Sequence, residues 1–177
     1  AAAQKQDGSF ESLSSPYRSL LRPTIQYQTV FTPALILASL ATIDTAKAML
    51  VRRKLAAWLL DQKSAHWSFN YWAVSAPQRT AMPYPDDLDD TFCALIALHR
   101  HDPSIIDMAC LGKVVQLLIA TETSTGGPYR TWLVRPTAAE AWKDFYLPVN
   151  SNIACFLRQV AAPLPNLTAL METSINS

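Results

Sequence analysis

Residues 84–98 read YPDDLDDTFCALIAL, in which four aspartates within five positions precede an uninterrupted apolar run. Pro85 favours extended backbone in the residue before it, and Asp and Thr side chains can accept hydrogen bonds from the free N–H groups of a first helical turn. Only 16% of the residues in the chain are charged, so this local concentration of acid is unusual. We predict that a helix begins at the aspartates and that Phe92 to Leu98 lie inside it.

The aspartate cluster has two interpretations. As helix caps, one or two acids stabilise the first turn, because they bind its free N–H groups and oppose the positive end of the helix dipole. Four acids exceed that need. Neighbouring carboxylates also repel one another, so at least one should have a raised pKa and keep its proton near neutrality. A protonated carboxylic acid in an apolar setting is a strong general acid, so the cluster indicates acid chemistry as well as capping.

The composition of the chain limits its class and its partners. Half of the 177 residues are hydrophobic, which is enough for one domain with a sizeable core. The net charge is +1, from 15 basic and 14 acidic residues, so a nucleic-acid partner is not expected. The sequence has no signal-peptide core and no membrane-spanning run, and its three cysteines lie in apolar segments. A reducing, cytoplasmic location is therefore the expectation.

The chain repeats with a period of about 60 residues. Three segments of similar sequence end in an aromatic residue: Gly8-Ser9-Phe10, Trp67-Ser68-Phe69 and Gly127-Pro128-Tyr129. Three apolar segments recur at the same period: Ala34-Leu35-Ile36-Leu37, Ala94-Leu95-Ile96-Ala97 and Ile153-Ala154-Cys155-Phe156-Leu157. Each unit reads as an apolar helix, a turn, a second helix and an aromatic-rich loop. We predict an all-α fold built from repeated helical hairpins.

The predicted helices are of two kinds. Segments Phe31–Ile43 and Phe92–Leu98 are apolar nearly all round, as expected of helices that are buried on most sides. Segments Ala46–Asp61 and Ile105–Glu122 are more amphipathic, as expected of an outer layer. A last apolar helix is predicted over Leu164–Met171.

Two kinds of motif resemble those of the terpene cyclase and prenyltransferase repeat family, which includes squalene-hopene cyclases and class II diterpene cyclases. Gln4-Lys5-Gln6-Asp7-Gly8-Ser9-Phe10 is similar to the family's repeated Gln…Gly-x-Trp motif, and Lys54…Trp58-Leu59…Gln62…Trp67-Ser68-Phe69 is similar to a degenerate copy. Asp87-Leu88-Asp89-Asp90-Thr91 is similar to the Asp-x-Asp-Asp-Thr motif of class II cyclases. The resemblance covers nearly all of residues 1–177 and implies a single domain of three repeats, which is about half of an α/α-barrel (α-α toroid) of six hairpins. The chain would then be a half-barrel or a fragment.

The resemblance also implies a reaction, the acid-initiated cyclisation of a linear isoprenoid, with no cofactor required. Asp89 would donate a proton to an alkene or epoxide, and Asp87 and Asp90 would tune and orient it. Aromatic faces stabilise the resulting carbocation without attacking it. The candidate substrate-binding residues are the first aspartate and aromatic or polar residues of the loops and helix starts: Asp86, Trp67, Trp72, Tyr129, Arg130, Trp132, Trp142, Asn150 and Asn152.

Other interpretations stay open. Residues 86–90 also fit the Asp-Asp-x-x-Asp pattern by which class I terpene synthases and prenyl-diphosphate synthases hold Mg²⁺, so Mg²⁺ is an option if the substrate is a diphosphate. Zinc is not expected, because Asp90 and Cys93 lack the Asp-x-Cys spacing of protein prenyltransferases. The alternative from another class is a non-catalytic repeat module that binds a lipid or a protein partner. Peripheral membrane contact, a homo-oligomer or a missing second half-barrel is compatible with either function.

Overall fold

The computed structural model describes residues 4–14 and 25–175. These residues form seven α-helices: α1 (Phe31–Leu40), α2 (Ala46–Gln62), α3 (Gln78–Ala81), α4 (Leu88–His101), α5 (Met108–Thr121), α6 (Leu147–Gln159) and α7 (Pro165–Ile175). They also form a small antiparallel sheet of β1 (Ser12–Ser14) and β2 (Ile25–Tyr27), with Leu13 opposite Gln26. No helix in the described part of the chain is long and apolar enough to cross a lipid bilayer. The fold is mostly helical, as predicted, whereas the sheet was not predicted.

The helix that follows the aspartates begins where the sequence predicted it. α4 starts at Leu88, and Asp87 is its N-cap, with a side-chain oxygen that accepts the backbone N–H of Asp90 at 2.8 Å. Asp89 and Asp90 lie in the first turn, where acids oppose the positive end of the helix dipole. The capping interpretation of the cluster is therefore confirmed for Asp87.

The other predicted helices agree with the observed ones to within a few residues, and the differences have local causes. α1 ends at Leu40 rather than at Ile43, because the chain must turn before Thr45 caps α2. α5 begins after Asp107, which caps it by accepting the N–H of Cys110 at 2.7 Å. In both cases a polar side chain that accepts a hydrogen bond fixes the helix start more tightly than the apolar pattern does.

α4 is the best-buried helix of the described residues. It packs against α1, α2 and α6, and every residue from Asp90 to Leu98 is buried. Phe92 meets the ring of Phe156 in α6 edge to face, with the ring centroids 5.5 Å apart. α1 is less buried than its hydropathy predicted, because only α2 and α4 of the described elements pack extensively against it. The aspartates therefore begin a helix that is held on several sides.

A tight turn recurs at the three places where the sequence repeats. In each turn one residue at the same position has a positive φ: Gly8 (95°), Trp67 (63°) and Gly127 (102°). Backbone hydrogen bonds from N–H to carbonyl oxygen close the turns, from Lys5 to Ser9, from Ser64 to Ser68 and from Thr123 to Pro128. Glycine adopts this conformation readily, so a tryptophan there is unusual. The local geometry repeats together with the sequence.

Two short strands, which we call the covering strands, lie over the starts of α1 and α4. Residues Tyr71–Ala73 lie antiparallel to Gln28–Val30, and residues Thr131–Leu133 lie antiparallel to Asp86–Leu88 in the same register. We call Gln28–Val30 and Asp86–Leu88 the helix-start segments. In each pair the third residue of the helix-start segment, Val30 or Leu88, donates its N–H to the carbonyl oxygen of the first residue of the strand. The first residue of the segment accepts the N–H of the third residue of the strand, and the four N···O distances are 2.7–2.9 Å. Each covering strand has a tryptophan at its centre.

Candidate active site

A cleft of about 650 Å³ lies at the start of α4. We call it the acid cleft, and it is lined by Tyr27, Tyr71, Trp72, Met82, Tyr84, Asp87, Asp89, Asp90, Thr131, Trp132, Tyr146, Pro148 and Val149. Three of the four clustered aspartates thus reach one cavity whose other walls are mostly aromatic. No lysine, arginine or histidine of the described residues lines it. The cavity combines proton donors with surfaces that attract cations.

The aromatic side chains of the acid cleft support one another. Trp72 stacks on Tyr84 with centroids 5.8 Å apart and an interplanar angle of 17°, and its Nε1 donates a hydrogen bond to the Met82 carbonyl oxygen at 2.9 Å. Trp132 meets Trp142 edge to face at 4.8 Å, and Trp142 also lies 6.2 Å from Tyr84. Rings held in this way present fixed faces to a ligand, so little ordering is needed on binding.

Asp87 is a buried acid with two roles. Its side chain is 2% exposed and caps α4, and its backbone carbonyl oxygen accepts the hydroxyl of Thr91. Burial raises the pKa of Asp87 to about 7; hydrogen bonds from Asp90 lower it, and the charge of Asp89 raises it further. The carboxyl that caps the helix therefore exchanges its proton close to neutral pH.

Asp90 lies next to Asp87 and is equally buried, with 3% of its surface exposed. Burial and then the negative charge of Asp87 raise the pKa of Asp90 well above its usual value, and the two carboxyl groups share a side-chain hydrogen bond. The neutral form of Asp90 is therefore favoured beside Asp87. Two buried oxygen atoms in the acid cleft, Asp90 Oδ1 and Thr131 Oγ1, have no hydrogen-bond partner within the described residues.

Asp89 is the half-buried acid of the cluster and the one that α6 positions. Its Oδ1 accepts a hydrogen bond from Asn152 Nδ2 at 2.9 Å, and the same nitrogen lies 3.5 Å from Cys93 Sγ. Burial raises the pKa of Asp89, and the hydrogen bond from Asn152 lowers it. The structure thus gives this carboxyl access to the cleft, a fixed direction and a tuned acidity.

Asn152→Ala is expected to raise the pKa of Asp89, because the carboxylate loses a hydrogen bond that stabilises its charged form. Carboxyl-carbon chemical shifts followed from about pH 3 to 8 would measure this change. Ser151→Ala, at the exposed neighbouring position on α6, is the matched control and should leave the pKa of Asp89 unchanged. An unchanged Asp89 titration in Asn152→Ala would contradict the assigned contact.

Thr91 connects the acid cluster to the preceding turn. Its hydroxyl donates to the Asp87 carbonyl oxygen and accepts the backbone N–H of Phe69 at 2.9 Å, and Thr91 is fully buried. Thr91→Val keeps the shape of the side chain but leaves that N–H unpaired, so we expect a loss of about 1–3 kcal/mol in the free energy of unfolding. Urea denaturation would measure it, with the exposed Thr80→Val as control, for which we expect less than about 0.5 kcal/mol.

Asp86 points away from the acid cleft. Its carboxylate accepts hydrogen bonds from the Ser68 hydroxyl at 2.6 Å and from Asn70 Nδ2 at 3.2 Å, and it pairs with Arg79 at 3.9 Å. A magnesium site of the Asp-Asp-x-x-Asp type would need this carboxylate to face the same ion as its neighbours. Within residues 4–14 and 25–175, no group of three or more His, Cys, Asp or Glu side chains could hold a metal ion. The motif therefore does not fit that magnesium site.

Comparison with family models, curated proteins and solved structures finds no match to this chain. The resemblance to terpene cyclases stays a prediction for that reason.

The remaining substrate-binding candidates divide by position. Trp72 and Trp132 line the acid cleft, Trp142 supports its wall, and Asn152 contacts one of its acids. The other four are not among the lining residues: Trp67, Tyr129, Arg130 and Asn150.

Local contacts account for these four residues. Trp67 is part of its turn, with Lys63 Nζ 5.1 Å from its ring centroid. Asn150 is fully buried and binds the backbone of Tyr129 through both ends of its amide, at 2.8 and 2.9 Å. A hydrogen bond from Lys143 and its charge lower the pKa of Glu140, and the charge of Arg130 lowers it to a smaller extent.

The structure also adds lining residues that we did not predict, notably Tyr27, Tyr84 and Thr131. Tyr27 belongs to β2, and no feature of the sequence indicated that hairpin. Thr131 could have been found from the repeat, because it precedes Trp132 as Tyr71 precedes Trp72, and both pairs belong to covering strands.

Proposed function

We propose that this chain catalyses the acid-initiated cyclisation of a linear isoprenoid, as class II terpene cyclases do. One observation carries the proposal: the half-buried carboxyl of Asp89 shares an aromatic cleft with two deeply buried acids. Protonating an alkene needs a strong acid that is shielded from water, together with surroundings that stabilise a cation without reacting with it. The acid cleft supplies the acids and the aromatic faces that such a reaction needs.

In the proposed first step, the O–H of Asp89 gives its proton to one carbon of an alkene. The π electrons form the new C–H bond, the other carbon becomes a tertiary carbocation, and Asp89 is left as a carboxylate. The faces of Trp72, Tyr84 and Trp132 stabilise the cation until a second alkene of the same molecule attacks it and closes a ring. Loss of a proton, or addition of water, ends the reaction.

The buried acid pair supports Asp89 in this step. The raised pKa of Asp90 favours its neutral form, and a neutral Asp90 adds no negative charge beside Asp89 and does not weaken Asp89 as an acid. Asn152 stabilises the carboxylate that remains after proton transfer, since its amide N–H already points at Oδ1. Both neighbours therefore favour the direction of proton transfer that the reaction needs.

The finer architecture belongs to the same proposal. We infer that the helix pairs α1–α2, α4–α5 and α6–α7 are three repeats, and that together they make up half of an α/α-barrel. The recurring turns with a positive φ and the two covering strands in one register support this arrangement. A second half, from another repeat array or a second copy, would enclose the acid cleft further.

The test is product analysis after incubation with squalene, farnesyl diphosphate and geranylgeranyl diphosphate, each with and without a metal chelator. We expect a cyclic isomer or hydrate of one substrate, formed also in the presence of the chelator. The oligomeric state is measured in the same buffer. A lack of product from all three substrates would contradict the proposal and favour the non-catalytic module that binds a lipid or a partner.

A further inference from the structure

Residues Phe145–Leu147 occupy the third helix-start position of the repeat. The residue three positions after Leu88 or Leu147 binds the preceding turn, which shows that the two segments are equivalent. Thr91 accepts the N–H of Phe69 at 2.9 Å, and Asn150 accepts the N–H of Tyr129 at 2.8 Å. Phe145–Leu147 before α6 thus corresponds to Asp86–Leu88 before α4 and to Gln28–Val30 before α1.

This third segment differs from the other two because no covering strand lies on it. Phe145, Tyr146 and Leu147 are 49%, 50% and 38% exposed, whereas the central residues of the covered segments are buried. The Leu147 N–H and the Phe145 carbonyl oxygen have no hydrogen-bond partner within the described part of the chain. In the two covered segments, the equivalent N–H groups and carbonyl oxygens bind the covering strands. The segment is an open strand edge with exposed apolar side chains.

We propose that Phe145–Leu147 binds a third covering strand, an extended segment with a tryptophan at its centre, carried by a further repeat of this kind. The occupant follows from the two internal examples, since Trp72 and Trp132 hold the central position in both and the backbone register is the same. The open edge continues the same series of interfaces. The free N–H of Leu147 matches the carbonyl oxygen of the first residue of such a strand, and the free carbonyl oxygen of Phe145 matches the N–H of its third residue.

The docked tryptophan would extend the aromatic wall of the acid cleft. Tyr146, the central residue of the open edge, lines the cleft, as does Pro148 just beyond it. The tryptophans of the existing covering strands line the same cavity. The bound strand would therefore place a third indole ring beside the first two. The docking itself is a binding event and does not depend on the proposed reaction.

The experiment uses the chain's own covering strand as a probe, the capped peptide Tyr129–Arg135 (YRTWLVR). It is titrated into the ¹⁵N-labelled protein to millimolar concentration, where weak binding is still detected. We expect the largest amide shifts at Phe145, Leu147 and their neighbours. The same peptide with an N-methyl group on its leucine lacks the N–H that would bind the Phe145 carbonyl, and it should bind at least about tenfold more weakly.

Leu147→Pro is the matching change in the protein. Proline removes the Leu147 N–H, is well accepted at the first position of a helix, and follows Tyr146, whose backbone is already extended (φ −118°, ψ 136°). We expect this variant to fold and to bind the peptide at least about tenfold more weakly, whereas Leu147→Ala keeps the N–H and should bind within about threefold of wild type.

Three outcomes would overturn the proposal. The first is an absence of shifts at this edge with millimolar peptide, and the second is equal binding by Leu147→Pro and wild type. The third is a wild-type dimer, detected by sedimentation, that Leu147→Pro converts to a monomer. That result would show that a second copy of the chain occupies the edge instead of a further repeat.

Discussion

Asp89→Asn is expected to lower the formation of cyclised product by at least about 1,000-fold, or about 4 kcal/mol in activation free energy, without unfolding the protein. An amide cannot give up a proton to an alkene. Its carbonyl oxygen can still accept the hydrogen bond from Asn152, so the packing at the start of α4 should persist. Gas chromatography with mass spectrometry measures the product, and thermal denaturation measures the fold.

The matched control is Asp61→Asn, the same chemical change at an exposed position on α2. It should leave both product formation and melting temperature unchanged. If Asp89→Asn still forms product at the wild-type rate, Asp89 is not the acid, and the protonated Asp90 becomes the candidate. If Asp61→Asn also loses product, the assay is reporting on protein quality rather than on the acid cleft.

Asp90→Asn is expected to be more stable than wild type, by a margin in the free energy of unfolding that grows as the pH rises. The pKa of Asp90 is raised well above its usual value in the folded state, and that of Asp87 is raised to about 7. These two groups therefore bind more protons in the folded protein than in the unfolded chain, so their contribution to the free energy of unfolding falls as the pH increases. The stabilising contribution is complete below the unfolded pKa, near 4, and for Asp87 it is lost as the pH rises through about 7.

Asparagine resembles the protonated aspartic acid but does not titrate. Between about pH 5 and about pH 7 we expect the stability of Asp90→Asn relative to wild type to increase by about 1.4 kcal/mol per pH unit. Urea denaturation at several pH values measures this slope. Asp61→Asn should show the wild-type slope, since its carboxylate is exposed. A parallel pH dependence in Asp90→Asn and wild type would contradict a proton held by Asp90.

Such a gain would identify the acid pair as a site that is maintained at a cost in stability. Two buried carboxyl groups with an unpartnered oxygen are unfavourable for folding, and natural proteins accept costs of this kind mainly at functional sites. Asp90→Asn should therefore separate the stability of the protein from its formation of product. It should increase stability at neutral pH, whereas any change in product formation would come from the lost proton of Asp90, because asparagine is neutral like the protonated acid.

The start of α4 could be predicted from the sequence because the signals that specify it are local. Asp87, Leu88 and the apolar run after them specify a cap, a first turn and a buried helix through short-range hydrogen bonds and side-chain periodicity. The repeat added the positions of α1 and α6 by comparison of the chain with itself. A raised pKa in the cluster was also expected, since it follows from like charges close together.

The direction of each aspartate side chain could not be predicted in the same way. Asp86 faces Ser68 and Asn70, and Asp89 faces Asn152, so the choice between cleft and loop is made by partners distant in the sequence. Periodicity carries no information on such contacts. Tyr27 could not be placed in the cleft for a different reason, because its strand has only three residues, which is too short for an alternating pattern to indicate a strand.

The covering strand over Asp86–Leu88 has a consequence for biosynthesis. Thr131–Leu133 is made after the acid motif, so on the ribosome the aspartates emerge before the strand that binds their backbone. Until it arrives, the Leu88 N–H and the Asp86 carbonyl oxygen have to bind water or another partner. The start of α4 is thus complete only after the segment that follows α5 has been translated, so it matures later than the two helices of its own hairpin.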